Sequence, residues 1–178
     1  MDRKSLRQYQ LSSDTEIKPF HCTEQDLNGF LFDDAKRYQA ELMAVTYLIE
    51  DTDKDVTVAY YSLLADKISF NPEEKSTWNK INRNIPNNKR RKNYPAVKIG
   101  RLAVSEDYTG YGLGSMIIRN IMYTFTRVKR LGCRFLTVDA LRSALPFYEK
   151  CGFKFFTEED KEEETRLMFF DLKNFTEY

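Results

Sequence analysis

One stretch, residues 97–128, VKIGRLAVSEDYTGYGLGSMIIRNIMYTFTRV, constrains the fold more than any other. It reads as a strand over Val97–Val104, a glycine-rich turn over Thr109–Gly114, and an amphipathic helix. The helix starts near Gly114 and carries Ile117, Ile121, Phe125 and Val128 on one face. Three alternating glycines before a helix let the backbone approach a ligand with no Cβ in the way. The N–H groups of the first helical turn and the helix dipole then favour an anion. The stretch is therefore expected to cradle a phosphate. The two commonest cradles fail on spacing. A P-loop needs a lysine after its last glycine, and Ser115 follows Gly114 directly. A dinucleotide fold needs G-x-G-x-x-G and an acid about 20 positions on, but this chain has G-x-G-x-G with Lys129, Arg130 and Leu131 beyond it. A turn that merely packs tightly on a sheet is the alternative.

Within the strand, Val97 and Ile99 alternate in one phase, Leu102 and Val104 in the other. The slip at Gly100-Arg101 predicts a β-bulge that bends the strand and opens a cleft beside it. Around this core the elements follow in order. Leu6–Leu11 reads as an edge strand, and Phe20–Ala44 holds a helix marked by Leu27, Phe30, Leu31, Ala35 and Tyr38. Val45–Glu50 and Val56–Leu63 read as an antiparallel hairpin. Asn71-Pro72-Glu73-Glu74 starts a helix with Trp78, Ile81 and Ile85 inward, and Pro86 stops it. Phe135–Val138 is apolar enough for a strand buried on both faces, so strand, helix and strand make a parallel crossover. A short helix over Ala144–Lys150, a strand over Phe153–Phe156, an acidic loop over Glu158–Glu164 and a last strand over Leu167–Phe170 complete an α/β (α+β) order.

At 178 residues, with no internal repeat or linker, the chain is expected to form a single domain over residues 1–178. Lys and Arg number 28 against 27 Asp and Glu, which excludes a global basic field and leaves nucleic-acid contact to a local patch. The one dense basic run is Lys89-Arg90-Arg91-Lys92, either a solvated loop or a phosphate contact for an RNA substrate. No segment has membrane-spanning length, and three widely spaced cysteines fit a reducing cytoplasm. His21 is the only histidine, which argues against a histidine-rich metal site and against a Ser-His-Asp triad, so no metal is expected.

The run LAV-x5-GYGLG followed by an apolar helix resembles the pyrophosphate motif of the GNAT (Gcn5-related N-acetyltransferase) family, [QR]-x-x-G-x-[GA]. It falls on Thr109, Gly110, Tyr111, Gly112, Leu113 and Gly114, and Thr109 departs from the usual Gln or Arg. A second match, Ala144-Leu145-Pro146-Phe147-Tyr148-Glu149-Lys150-Cys151-Gly152-Phe153, resembles the family's A-x-x-[FL]-Y-x-x-x-G-F signature. Leu141 stands where many members carry Asn. The resemblance implies the GNAT fold, a mixed sheet of about six or seven strands flanked by helices, with a bulged strand beside the cofactor cleft. It implies acetyl-CoA as co-substrate, held at its pyrophosphate by backbone N–H groups of Tyr111 to Ser115 and along its pantetheine arm by the edge of Leu102, Ala103 and Val104. Tyr148 is then the general acid that protonates the departing thiolate.

A narrower resemblance, in Phe20-His21-Cys22, Ala59-Tyr60-Tyr61-Ser62-Leu63 and Gly100-Arg101-Leu102-Ala103-Val104, is to the GNAT toxins of toxin–antitoxin modules. It implies an aminoacyl-tRNA acceptor, an antitoxin partner and a homodimer. Glu106, Asp107 and Asp139 read as cap or turn residues, so no general base stands out. An α-amine, titrating at about 7.7–8.0, needs little help from one. The alternative function is a non-catalytic acyl-CoA-binding module of the same fold.

Overall fold

A computed structural model describes residues 5–72, 74–83, 85, 91–128 and 131–176. The chain forms two compact units, Met1–Leu64 with Ile99–Asn120, and Ala65–Lys98 with Ile121–Tyr178. Its strands are β1 (Leu6–Gln10), β2 (Val45–Asp51), β3 (Val56–Ser69), β4 (Asn93–Val104), β5 (Phe135–Leu141), β6 (Lys154–Phe155) and β7 (Thr165–Asp171). They form a seven-stranded mixed sheet in the order β1-β2-β3-β4-β5-β7-β6. The helices are α1 (Gln25–Gly29), α2 (Ala35–Ala40), α3 (Lys75–Arg83), α4 (Leu113–Tyr123) and α5 (Leu145–Lys150).

In the first unit, β1 runs antiparallel to β2 from Leu6↔Asp51 to Gln10↔Tyr47. The β2–β3 hairpin forms as the sequence predicts, with Val45 opposite Leu63 and a register shift between Ile49 and Glu50. The predicted helix within 20–44 is α1 and α2 joined through a π-helical turn, Phe30–Asp34. That turn puts Phe30 and Leu31 into a core with Leu11, Cys22, Ala35, Leu48, Tyr60 and Ala103. Full burial of each large apolar side chain there contributes about 1.5–3 kcal/mol. Asn28 fixes the approach to α1, its side-chain amide accepting from Cys22 N–H at 2.9 Å and donating to Cys22 O at 2.7 Å.

Gly100 answers to packing. A Cβ there would lie 2.7 Å from Leu64 Cδ2 and 3.1 Å from Ser62 Oγ, so a side chain has no room on that face of β4. The expected phase slip does not appear in the burial pattern: Val97, Ile99 and Ala103 are buried in one unbroken alternation, while Leu102 and Val104 stay half-buried on the other phase.

In the second unit, β4 pairs in parallel with β5 over Ala96–Lys98 and Phe135–Thr137, as a crossover requires. β5 and β7 are antiparallel from Phe135↔Asp171 to Leu141↔Thr165. Trp78, Ile81, Tyr94, Ala96, Phe135, Phe156 and Phe169 pack with Ile68 into the second core. Two predicted boundaries move. α3 begins at Lys75, three residues after Pro72, because Glu74 N–H first closes a turn on Asn71 O at 3.1 Å. The central helix widens into a π-helical stretch over Thr124–Val128. One extra residue per turn rotates the stripe, so Ile117 and Ile121 are buried while Val128 is half exposed. The stop at Pro86 lies outside the described residues.

Candidate active site

The cradle is built within the first unit. Ser105 N–H, just past β4, donates to Val58 O on β3 at 2.9 Å. Consecutive amides of an extended chain point to opposite edges, so Val104 N–H faces away from β3. Ala103 is buried in the core, while Leu102 and Val104 are half-buried. A single 3-10 turn, Glu106–Tyr108, then carries the chain to the glycines. It is tied down at both ends. Glu106 N–H donates to His21 O at 3.1 Å, and His21 Nε2 lies 3.4 Å from Glu106 Oε1. Tyr108 is buried and its hydroxyl donates to Asp51 Oδ2 at 2.8 Å. The Lys54 ammonium covers its ring at 5.2 Å.

The Tyr108 hydroxyl holds the Asp51 carboxyl below its usual range, helped by Asp53 N–H at 3.1 Å and opposed by burial. A carboxyl depressed in the folded state stabilises the fold above its unfolded pKa, and that contribution is lost as pH falls through the depressed folded value. Tyr108→Phe removes the largest cause. The acid unfolding midpoint, followed by circular dichroism, is expected to move to higher pH in the variant. Coincident acid transitions would show that the pair does not anchor the turn.

Thr109, at the position where the family motif has Gln or Arg, is exposed and turns its hydroxyl back on its own chain, donating to Ser105 O at 3.2 Å. Gly110 and Gly112 have φ of +86° and +78°, values that L side chains rarely adopt. No atom of the described residues lies within 4 Å of a Cβ added at either glycine. Gly152 shares the conformation at +87°, but there a Cβ would meet the Phe170 ring at 3.0 Å. The space beside Gly110 and Gly112 is thus open, and the space beside Gly152 is filled by packing. Tyr111, between the two open glycines, is exposed. Leu113 is buried and seats the head of α4, Gly114 is half-buried, and Ser115 is exposed. Met116 N–H donates to Gly112 O at 3.0 Å. The amides of Leu113 and Gly114 come before this first helical bond, at the positive end of an eleven-residue helix.

Tyr148 lies in the second unit, on α5, with Pro146 in the first turn. The helix ends in a tight cap, Gly152 N–H to Glu149 O at 2.9 Å and Phe153 N–H to Tyr148 O at 3.0 Å. The Tyr148 ring is 5% exposed and meets Phe147 and Phe153 edge-on at 4.9 and 5.3 Å. Burial pushes its phenol well up, and Cys151 adds to the rise. The hydroxyl makes no hydrogen bond to a described residue.

Of the basic run, Arg91 and Lys92 are exposed, and Lys89 and Arg90 lie outside the described residues. Asp139 is engaged by Lys98, and Glu106 by His21. Among the described residues no group of His, Cys, Asp and Glu is arranged to hold a metal. The Tyr108–Asp51 anchor was not legible in the sequence, because its partners lie 57 positions apart.

Residues 80–155, which contain both motifs, match the model of the acetyltransferase (GNAT) domain. Those residues are similar to a GNAT domain. Solved GNAT structures agree with the chain over nearly their whole length. A mutant of KacT is 26% identical, covers 95% of this chain and 96% of its own, and superposes with a TM-score of 0.75. AtaT complexed with acetyl-methionyl-tRNA is 25% identical over 94% and 95%, with a TM-score of 0.74. An AtaT mutant toxin bound to the C-terminus of the antitoxin AtaR and acetyl-CoA shares the fold at 23% identity, over 95% and 94%, with a TM-score of 0.74. The seven-stranded mixed sheet of this chain is the GNAT fold.

Proposed function

We propose that the protein is an acetyl-CoA-dependent N-acetyltransferase that works as one domain, with the α-amine of an aminoacyl-tRNA as its acceptor. The observation that carries this reading is the open cradle: Gly110 and Gly112 at positive φ, with empty space beside each, at the head of α4 in a matched GNAT domain. Amides of Gly110 to Ser115 bind the pyrophosphate of CoA. With the Thr109 hydroxyl turned back on its own chain, the backbone does this work without a long side chain at that position. The Leu102-Ala103-Val104 segment pairs with the pantetheine arm like an added strand, and Val104 N–H polarises the thioester carbonyl.

The acceptor nitrogen attacks the carbonyl carbon, the C–S bond breaks, and the thiolate takes the proton of Tyr148. The nitrogen loses its extra proton to solvent. An α-amine, with a pKa of about 7.7–8.0, is already neutral in useful proportion at physiological pH. That suits a site in which Asp139 is paired with Lys98 and Glu106 lies against His21. The acceptor class is supported by the likeness to AtaT in complex with acetyl-methionyl-tRNA and to KacT. A toxin role, with an antitoxin as partner and a cytoplasmic location, belongs to the same proposal. Among the described residues, no helix is long and apolar enough to cross a membrane.

The test is transfer from labelled acetyl-CoA to aminoacyl-tRNA, peptides and small amines in parallel. Label on aminoacyl-tRNA is expected. A protein that binds acetyl-CoA but labels no acceptor would instead be the non-catalytic acyl-CoA module.

A further inference from the structure

Arg101, half-buried in the first unit, has a guanidinium that the described residues satisfy only in part. Of the five N–H donors of its guanidinium, one bonds the adjacent Gly100 O through Nη1 at 2.9 Å. Its Nη2 lies 3.6 Å from Asp26 Oδ2, a loose pair whose carboxylate is 81% exposed. Its Nε is buried and has no hydrogen-bond partner among the described residues. Buried donors almost always find partners, so an orphan asks for a reason. The guanidinium carbon lies over the Phe30 ring, 5.1 Å from its centroid. Phe30 is held in turn by Tyr60, stacked at 6.2 Å, whose hydroxyl donates to Leu27 O at 2.6 Å.

The helix opposite Arg101 is also irregular. Phe30 opens the π-helical turn, and such turns gather at functional sites. Gly29, just before it, has helical φ and ψ of −57° and −47°. A Cβ there would meet only Asp33 Oδ2 at 3.8 Å. Neither conformation nor crowding requires a glycine in this helix, where it is destabilising. An aromatic platform, an arginine with spare donors and an unforced weak point in the helix therefore stand together. They adjoin Leu102-Ala103-Val104, the segment that aligns the thioester in the proposed function.

We propose that Arg101 binds a phosphate of the tRNA acceptor end and positions the aminoacyl amine for attack, with Asp26 as the group that the phosphate displaces. This rests on the aminoacyl-tRNA reading above. The planar fork suits a phosphate, and its contact with the Phe30 ring limits the freedom it has to lose on binding. Asp26, exposed and 3.6 Å away, is too loosely held to be the permanent partner.

The test measures KM for aminoacyl-tRNA, its salt dependence and acetyl-CoA affinity in wild type, Arg101→Gln, Arg101→Lys and Asp26→Asn. Arg101→Gln is expected to raise the acceptor KM by about tenfold, the loss of one charge-assisted bond. The slope of log KM against log salt should fall by about 0.7, one phosphate contact to a single strand. Acetyl-CoA affinity should not change. Arg101→Lys keeps the charge and loses the fork, so it should retain the salt slope and only part of the affinity. Asp26→Asn removes the competitor and should lower the acceptor KM with an unchanged melting temperature. An arginine that only braces the helix gives the opposite pattern: both Arg101 variants keep the wild-type KM and salt slope, and Asp26→Asn merely melts earlier. That pattern would overturn the inference while leaving the acetyltransferase reading intact. A wild type that never labels aminoacyl-tRNA would overturn both.

Discussion

Tyr148→Phe is expected to lower kcat for acetyl transfer by about 10²-fold, the lower end of what a positioned general acid contributes, and to leave acetyl-CoA affinity unchanged. The lower end applies because the CoA thiolate is a good leaving group that needs modest help. The substitution removes one oxygen from a ring fixed by Phe147 and Phe153, and that oxygen bonds no described residue. The fold therefore loses no internal hydrogen bond, and the melting temperature should hold. Stopped-flow or steady-state thiol release gives kcat, and calorimetric titration gives the affinity. Burial keeps the wild-type phenol protonated through the physiological range, so it can serve as a donor and not as a base. A variant as active as the wild type would return Tyr148 to the role of a packing residue.

Gly112→Val is expected to weaken acetyl-CoA binding on the order of 100-fold with little loss of fold stability. Two terms add. A β-branched residue at a φ of +78° carries left-handed strain of about 1–2 kcal/mol. The loop relieves that strain by turning its amides away, and each hydrogen bond lost to a charged group costs about 1.5–3 kcal/mol. Residual strain costs the fold a little stability, but no described atom within 4 Å of the new Cβ adds a clash to it. Gly152→Val is the control. Its Cβ meets Phe170 at 3.0 Å, so it should lower the melting temperature. Equal losses of stability in the two variants would mean that the space beside Gly112 has no ligand to receive.

The contrast between these glycines shows where the sequence was legible. The strand-turn-helix spacing gave the cradle and excluded two nucleotide motifs, because both depend on neighbours within about 20 positions. The β2–β3 hairpin and the parallel crossover were legible from period and polarity alone. The sequence read Gly100 as a bulge and Gly110 and Gly112 as a cradle, but it does not show what faces each glycine. What separates them is the neighbour across the fold, Leu64 or Phe170 or nothing. Helical period placed Val128 on the core face, and a π-helical stretch moved it off. The segment 158–164 reads in sequence only as an acidic loop. In the structure it places the Asp160 carboxylate on buried Arg166 at 2.9 Å and on Leu167 N–H at 2.7 Å. The Tyr148 motif was readable because its residues lie on one helix and its cap, whereas Tyr108–Asp51 and Arg101–Phe30 join segments far apart in sequence.

The central claim is acetyl transfer to the α-amine of a charged tRNA. The most direct measurement incubates the protein with labelled acetyl-CoA and a pool of aminoacyl-tRNA, with the same tRNA deacylated beforehand as control. Mild base then releases the amino acids for mass spectrometry. The predicted result is an N-acetylated amino acid released only from the charged pool, and lost with Tyr148→Phe. Label that stays with the tRNA after base treatment, or that appears equally on the deacylated control, would contradict it.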